Sequence, residues 1–245
     1  MTPAEISVVR ARPDPARGVF ETLAVRDGRL QALDRHVERL AASVADLYGH
    51  PLPHNLRIRA RGIACQLAGE HRLRVRAHPT PGRLVVRIET EPFCRAEPQL
   101  TIMLSPVTVP CGLGRHKWCD RRLLDNLCSR QSMPMIVDVE GDVLEAAWAN
   151  VWIVEGDRIV TPTADGRLLA GITRSLLLER APALGVSAST EPISVARARE
   201  ADAIFLTSSL RYAVRAGVEG GPSPHRHSPI VDVLRTALSA AAWDP

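Results

Sequence analysis

The alternation of apolar and polar positions near the start of the chain predicts a hairpin followed by a helix. The stretch "GVFETLAVRDGRLQAL" holds two short β-like runs around "RDG", which is a typical hairpin signal. The next stretch, "DRHVERLAASVADLYG", repeats its apolar residues at helical spacing. We expect this helix to be capped by Asp34 and to end at Gly49.

Further strands and one break follow before the middle of the chain. A second helix is predicted around residues 54–68, and "HRLRVRAH" alternates arginine with apolar residues like a strand with one solvated face. "RLVVRIETEP" and "QLTIMLSPVTV" read as strands, and "PCGLG" then interrupts the pattern. We therefore predict an N-terminal subdomain over residues 1–108 and a linker over residues 109–114.

The C-terminal part, residues 115–245, mixes helices and strands. Helices are predicted at "DRRLLDNLCSRQ", "SLLLERAPALG" and "IVDVLRTALSAAAW". Strands are predicted at "PMIVDVEGDVLEA", "NVWIVEGDRIVTP" and "ISVARAREADAIFLTSSL". Strands in clusters with helices between them predict an α+β fold with two subdomains.

The composition is typical of a soluble globular protein, with 45% hydrophobic and 24% charged residues among 245. No stretch approaches the roughly 18 apolar residues that a membrane span requires, and the first residues lack a signal-peptide pattern, so we expect a cytoplasmic protein. The net charge of +4 is spread along the chain, and aromatic residues make up only 4%. Both features argue against nucleic-acid binding, because neither a basic stripe nor a stacking surface is present.

The cysteine and histidine positions predict neither a disulfide framework nor a metal site. The five cysteines form no CxxC pair, and their odd number argues for reduced thiols. The two closest histidines, His225 and His227, lie in a Gly/Pro-rich stretch without other candidate ligands. A solvated loop explains them better than a metal centre does.

Lys117 is the only lysine in the chain, whereas arginine occurs 30 times. A guanidinium stays protonated in proteins, but a desolvated lysine amine can lose its proton and act as a nucleophile or a base. Lys117 is therefore a candidate for chemistry. The lysine count alone leaves a second reading open, in which one surface lysine survived a composition bias.

Three other stretches carry candidate chemistry. "GITR" places Ile172 and Thr173 at the start of a predicted helix, where free amides can bind an anion or an ordinary cap can form. The hydroxyls of "LTSSLR" could add to that anion site or could belong to a turn. Glu145 is the only acidic residue in an apolar window, so its partner is either a structural arginine or a protonated ring nitrogen.

The order and spacing of these motifs resemble the class IV aminotransferase family, the fold-type IV pyridoxal-phosphate (PLP) enzymes. The resemblance covers nearly the whole chain, from "GVFETLAVRDGRLQALDRHVERLAASVADLYG" to "FLTSSLR", and includes "HKWCDRRLLD", "GDVLEAAWANVWIV" and "TPTADGRLLAGITR". It implies a D-amino acid aminotransferase-like fold, PLP as the cofactor, a small-molecule substrate and a homodimer.

The resemblance also implies a role for each matching residue. Lys117 would hold PLP as a Schiff base and move protons during turnover, and Glu145 would pair with the pyridine nitrogen. The phosphate would be bound by a set of polar groups: Arg39, Ile172, Thr173 and Ser209. Leu169 would pack against the ring face, and Asn150 would support the loop that carries Glu145.

The motifs "GVFETL", "HKWCDRRLLD" and "FLTSSLR" look most like those of the 4-amino-4-deoxychorismate lyases in this family. This implies elimination of pyruvate to give p-aminobenzoate, for folate or for a specialised product, with Arg211 as a possible contact of a substrate carboxylate. Trp148 and Tyr212 depart from the common pattern. Two alternatives stay open: an aminotransferase acting on branched-chain or D-amino acids, which would use the same lysine and glutamate, and a non-catalytic binding protein.

Overall fold

The first half of the chain forms a four-stranded antiparallel sheet with two helices packed on one face. The structure is a computed structural model that describes residues 12–94, 101–129, 132–223 and 228–244. This half contains, in chain order, β1 (Val19–Arg26), β2 (Arg29–Leu30), α1 (Leu33–Tyr48), α2 (Leu56–Ala64), β3 (Glu70–Thr80) and β4 (Arg83–Pro92). The strands lie in the order β2-β1-β3-β4, and the predicted hairpin is confirmed as β1 and β2 around Asp27 and Gly28.

The second half forms an eight-stranded mixed sheet. Its elements are, in chain order, β5 (Thr101–Thr108), α3 (Arg122–Leu127), β6 (Ser132–Val137), β7 (Val143–Ala146), β8 (Asn150–Glu155), β9 (Arg158–Thr161), α4 (Ile172–Arg180), β10 (Ser187–Thr190), α5 (Val195–Glu200), β11 (Ala203–Ser208), β12 (Tyr212–Val218) and α6 (Pro229–Ala240). The strand order is β10-β9-β8-β11-β12-β5-β6-β7. The mixed α and β architecture agrees with the predicted fold class.

Strand β5 belongs to the second sheet, although the predicted N-terminal subdomain extends to residue 108. It lies between β12 and β6 and runs parallel to both. Parallel neighbours are joined by long connections, so this pairing leaves no local signal in the sequence. The division into two subdomains remains a prediction, with β5 as the strand that crosses the predicted boundary.

Helix α1 begins differently from the prediction. Ala32, in the left-handed region with φ 52°, occupies the cap position, and Asp34 lies in the first turn instead. The cap comes from the far end of the chain, because the Asp244 carboxylate accepts the backbone N–H of Leu33 at 2.7 Å. The predicted end is confirmed: Gly49 adopts φ 65° and donates its N–H to the Ala45 carbonyl.

One predicted strand is wrong in its first half and confirmed as β11 in its second half, and several helices are shorter than predicted. Residues 195–200, part of the predicted strand "ISVARAREADAIFLTSSL", form α5 because the Ser194 hydroxyl accepts the Arg197 N–H and caps the helix. The helix predicted over residues 120–131 is confined to α3. The stretch "SLLLERAPALG" continues α4 and then ends in a 3-10 turn over Ala181–Leu184, which begins just before Pro182.

The arginine face of β3 is not solvated as predicted. Leu73, Val75 and Ala77 are buried against α1 and α2, whereas Arg72 and Arg74 are half-buried on the opposite face and line a cavity. Period-two alternation identifies the two faces of a strand but does not reveal what the polar face meets. This face is the wall of the candidate site.

The remaining sequence predictions concern cysteines, histidines and membranes. The five cysteines all lie in the described ranges, and no disulfide bond joins any two of them. Within the described ranges, no group of three or more His, Cys, Asp or Glu residues is arranged to hold a metal ion; His225 and His227 lie outside those ranges. None of the helices in the described ranges combines the length and the apolarity needed to span a membrane.

The loop around Gly112 passes close to the loop around Arg167. Gly112 has φ 64°, and a Cβ atom there would lie 2.1 Å from the Arg167 carbonyl oxygen. Gly114 has φ 81° but no atom within 4 Å of its Cβ position, and its N–H donates to the same carbonyl. Only glycine allows this approach of two backbones.

We expect Gly112→Ala to lower the free energy of unfolding by about 2 to 4 kcal/mol, because it adds a backbone clash to the left-handed strain. The matched control Gly114→Ala carries the strain without the clash and should cost about 1 kcal/mol. Urea unfolding of both variants measures the difference. Equal losses would show that the close approach of the two loops does not contribute.

Candidate active site

A cavity of about 470 Å³ brings together residues from α1, the segment after the linker, β7 and β8, the start of α4 and the end of β11. Eight of the predicted site residues line it: Arg39, Lys117, Glu145, Asn150, Leu169, Ile172, Thr173 and Ser209. A second cavity of about 280 Å³ adjoins it and shares Lys117, Trp148 and Ser209 with it. Arg211 lines this second cavity.

Lys117 is held in place by backbone pairing with the first strand. The Phe20 N–H donates to the Lys117 carbonyl at 2.9 Å, and the Cys119 N–H donates to the Gly18 carbonyl at 2.9 Å. The side chain is half-buried on the cavity wall, with Nζ 5.1 Å from the centroid of the Phe20 ring. Desolvation, aided by the positive charge of Arg39, lowers the pKa of Lys117 to about 8. Roughly a tenth of the amine is therefore unprotonated at pH 7, far more than for a lysine with an ordinary pKa.

Glu145 lies buried on β7, opposite Ile136 of β6. Desolvation raises its pKa to about 7, against the opposing charge of Lys117 and a hydrogen bond from the Leu169 backbone. Asn150 donates from Nδ2 to the Leu169 carbonyl at 2.8 Å. This bond fixes the segment that contacts Glu145, so the carboxylate has a defined position but no cationic partner in direct contact among the described residues.

The start of α4 presents hydrogen-bond donors to the cavity. Gly171 occupies the cap position without a side-chain cap, and Ile172 and Thr173 both line the cavity. Gly171 is required there, because a Cβ atom would lie 1.9 Å from Asn150 Oδ1. The unpaired amides, the Thr173 hydroxyl and the Ser209 hydroxyl form a donor set suited to a phosphate.

A buried cluster behind Arg39 was not found from the sequence. Glu21 on β1 accepts two hydrogen bonds from Arg39, both at 2.7 Å, and one contact of 2.7 Å from His36 Nδ1. Desolvation raises the pKa of Glu21, but the charge of Arg39 and the hydrogen bond from His36 outweigh it and hold this pKa far below its ordinary value. Arg39 also donates to the Ala170 carbonyl at 2.7 Å. Three of its five N–H groups are thus used, and two remain for a ligand.

A sequence signal for this cluster existed, because Glu21 is an acidic residue inside the apolar run "GVFETLAV". The same argument singled out Glu145.

His36 also reaches Ser209, with 3.4 Å between Nε2 and Oγ. The cluster therefore links β1 and α1 to the hydroxyls at the end of β11.

The second cavity is lined by four arginines: Arg72, Arg74, Arg121 and Arg211. Only Arg211 was predicted as a site residue. Arg121 donates to the Ala147 carbonyl, and Arg72 forms an ion pair with Glu91 at 2.6 Å. Both Arg121 and Arg211 are half-buried, and this desolvation lowers the pKa of each guanidinium. A cavity of this kind favours an anionic ligand.

Comparison with known proteins identifies what the chain is similar to. The model of the family described as amino-transferase class IV matches residues 18–216. The bifunctional aminodeoxychorismate lyase / D-amino acid transaminase of Mycobacterium tuberculosis is 27% identical over 263 residues, covering 91% of this chain and 89% of that protein. A solved structure, a hypothetical aminotransferase from Mycobacterium tuberculosis in its PLP-bound form, has a TM-score of 0.79 at 22% identity, covering 99% of this chain and 95% of that one.

Two further curated matches are to branched-chain aminotransferases, one nearly full-length and one local. The probable branched-chain-amino-acid aminotransferase of Rickettsia bellii (strain RML369-C) is 23% identical over 246 residues, covering 85% of this chain and 81% of that protein. The mitochondrial branched-chain-amino-acid aminotransferase 1 of Arabidopsis thaliana is 35% identical over 80 residues, which are 33% of this chain. The chain spans only 21% of the length of that protein in this match.

We expect Glu145→Gln to stabilise the apoprotein at pH 8 by roughly 1 to 3 kcal/mol and to change little at pH 4.5. The folded pKa of about 7 lies above the unfolded value of 4.5. The folded state therefore binds more protons in this window, and stability falls as pH rises through it. Urea unfolding at both pH values measures the effect, with the exposed Glu140→Gln as the control. A difference from wild type that does not depend on pH would contradict the prediction.

We expect Arg39→Lys to weaken PLP binding about tenfold. Lysine keeps a positive charge beside Glu21 but lacks the planar guanidinium, whose parallel N–H groups can bind a phosphate. Binding of pyridoxal, which lacks the phosphate, should change less than threefold. Absorbance titrations of both compounds measure this, with Arg35→Lys on the same helix as the control, since Arg35 pairs with Glu179 on the surface. Equal weakening of both compounds would exclude a phosphate-binding role.

Proposed function

Because the chain belongs to the class IV aminotransferase family, whose members are PLP enzymes, we propose that it is a 4-amino-4-deoxychorismate lyase. The reaction eliminates pyruvate from a substrate with two carboxylates and gives p-aminobenzoate. The observation that carries this choice is the arginine-lined cavity beside Lys117. One of the curated relatives that match most of the chain carries the same lyase activity in its name.

The residues present fit PLP as the cofactor. The Lys117 amine, with its pKa of about 8, can form a Schiff base with an aldehyde near neutral pH. Glu145 is a buried carboxylate suited to a protonated ring nitrogen, which would give it the positive partner it lacks. Arg39 and the amides at the start of α4 supply the donors that a dianionic phosphate requires.

When bound, PLP supplies an electron sink for bond breaking at the carbon that bears the substrate amine. Glu145 would hold a proton at the ring nitrogen, which would sustain that capacity. The free Lys117 amine would act as the base that removes the proton from this carbon of the substrate. Trp148 and Phe20 line the second cavity, where their rings would limit the access of water to a bound substrate.

The lyase is preferred over a branched-chain aminotransferase because of the chemistry of the cavity walls. A branched aliphatic side chain requires an apolar pocket, and a guanidinium gains nothing from contact with it. The second cavity instead presents four arginines together with three aromatic rings, those of Phe20, Phe93 and Trp148. This combination suits a ring that carries carboxylates.

A D-amino acid aminotransferase is the second candidate function, since Lys117 and Glu145 would serve transamination equally well. Its support is that the same curated relative is also named as a D-amino acid transaminase. A homodimer and a cytoplasmic location remain part of the proposal and rest on the family resemblance and the composition.

We expect the PLP-loaded protein, supplied with aminodeoxychorismate generated in the same tube, to release p-aminobenzoate and pyruvate in equal amounts. Lys117→Ala and Lys117→Arg should each lower kcat/KM by at least about 10³-fold, because neither variant has an amine that can form the Schiff base or remove the proton. Absorbance of bound PLP confirms loading, and liquid chromatography with a coupled pyruvate assay quantifies both products.

Cofactor binding without either product would reject the lyase. A screen of D-amino acids with keto acids would then test the aminotransferase alternative.

A further inference from the structure

The charges on the polar face of β3 do not balance. The side chains of Arg72, Arg74 and Arg76 lie on this face beside the neighbouring strand β4. Strand β4 supplies two carboxylates to these three arginines. Glu91 pairs with Arg72 at 2.6 Å, and Glu89 pairs with Arg76 at 3.1 Å. Arg74 lies between these two pairs, directly opposite Glu89 in the strand register. It forms no ion pair with any described residue.

This arrangement is unfavourable for Arg74 in the absence of a ligand. Its Nε atom is buried without a hydrogen-bond partner among the described residues. Desolvation and the neighbouring charges of Arg72 and Arg76 lower its pKa. An unpaired, partly desolvated guanidinium between two other cations is a site that gains stability when an anion binds.

Arg211 occupies a comparable position on another wall of the same cavity. It lies in the turn between β11 and β12 and is half-buried. Within the described ranges it also has no carboxylate at ion-pair distance. Among the described residues, Arg74 and Arg211 are therefore the two arginines of this cavity whose side chains form neither an ion pair nor a hydrogen bond, since Arg72 pairs with Glu91 and Arg121 donates to the Ala147 carbonyl.

Each of these two guanidiniums rests on an aromatic ring. The Cζ atom of Arg74 lies 4.8 Å from the centroid of Phe20, and that of Arg211 lies 5.5 Å from the centroid of Trp148. Contact with a ring face orients a guanidinium and leaves its N–H edge free for a carboxylate. The Phe20 ring also contacts Lys117, which places the reacting amine beside this arrangement.

We propose that Arg74 and Arg211 are specificity-determining residues that form a two-point clamp for the two carboxylates of the substrate. Each arginine binds one carboxylate, and a ligand with two carboxylates is selected over a ligand with one. The clamp rests on the proposed function for the identity of the substrate, but it makes a separate claim about which side chains bind it.

Binding to the PLP-loaded protein tests the clamp without turnover. Chorismate carries both carboxylates and has a hydroxyl where the substrate has its amine, and p-aminobenzoate carries one carboxylate. We expect Arg74→Gln and Arg211→Gln each to raise the Kd of chorismate about tenfold. At most one of the two should weaken p-aminobenzoate, because a single carboxylate occupies one arm of the clamp. Isothermal titration calorimetry measures both ligands.

The exposed Arg59→Gln, which removes the same charge from α2, should change neither Kd. The absorbance of bound PLP should be the same in all variants, which a general loss of structure would not allow. Arg74→Lys and Arg211→Lys should recover part of the chorismate affinity, because the charge returns without the planar fork.

An unchanged Kd for chorismate in both glutamine variants would overturn the clamp, and so would equal weakening of both ligands by both variants. These outcomes are distinguishable from failure of the proposed function. A protein that shows the expected binding pattern but releases no p-aminobenzoate would keep the clamp and reject the lyase. A protein that releases p-aminobenzoate but binds chorismate independently of Arg74 and Arg211 would do the reverse.

Discussion

The candidate site depends on the backbone pairing between the first strand and the segment that carries Lys117. Two hydrogen bonds, from Phe20 to Lys117 and from Cys119 to Gly18, join residues 117–119 to the start of β1. The same strand places Glu21 behind Arg39 and Phe20 beneath the lysine amine. One strand thus positions the reactive amine, the anion-binding arginine and the aromatic wall relative to one another.

Desolvation sets the chemistry of the groups that line the cavity. It makes the amine of Lys117 easier to deprotonate and the carboxyl of Glu145 harder to ionise. Glu21 is equally buried but stays ionised, because Arg39 and His36 contact it directly. Burial alone therefore does not determine the charge of a carboxylate. The direct partners do, and Glu145 is the one that still lacks a cation in contact among the described residues.

Two of the predictions that failed did so because a distant part of the chain changed the meaning of a local pattern. Asp34 is a good cap residue, but Asp244 reaches the first amide of α1 instead. The "HRLRVRAH" stretch is a strand as predicted, yet its arginine face meets the cavity because β3 pairs with β1 and β4 in the sheet that forms this wall. The two-residue alternation of side chains along a strand shows that one face is polar. The elements packed around the strand decide whether that face contacts water or a ligand.

The sequence by itself predicted most of the helices and strands, the family resemblance, and eight residues that line one cavity. It could do so because apolar periodicity, caps and motif order are properties of contiguous residues. Only the tertiary structure decided that β5 joins the second sheet, that Glu21 and His36 support Arg39, and that Arg74 is left unpaired beside Lys117. Each of these features depends on contacts between residues far apart in the chain. The last two also depend on which of several arginines a given carboxylate pairs with. A pattern of neighbouring residues does not contain this information.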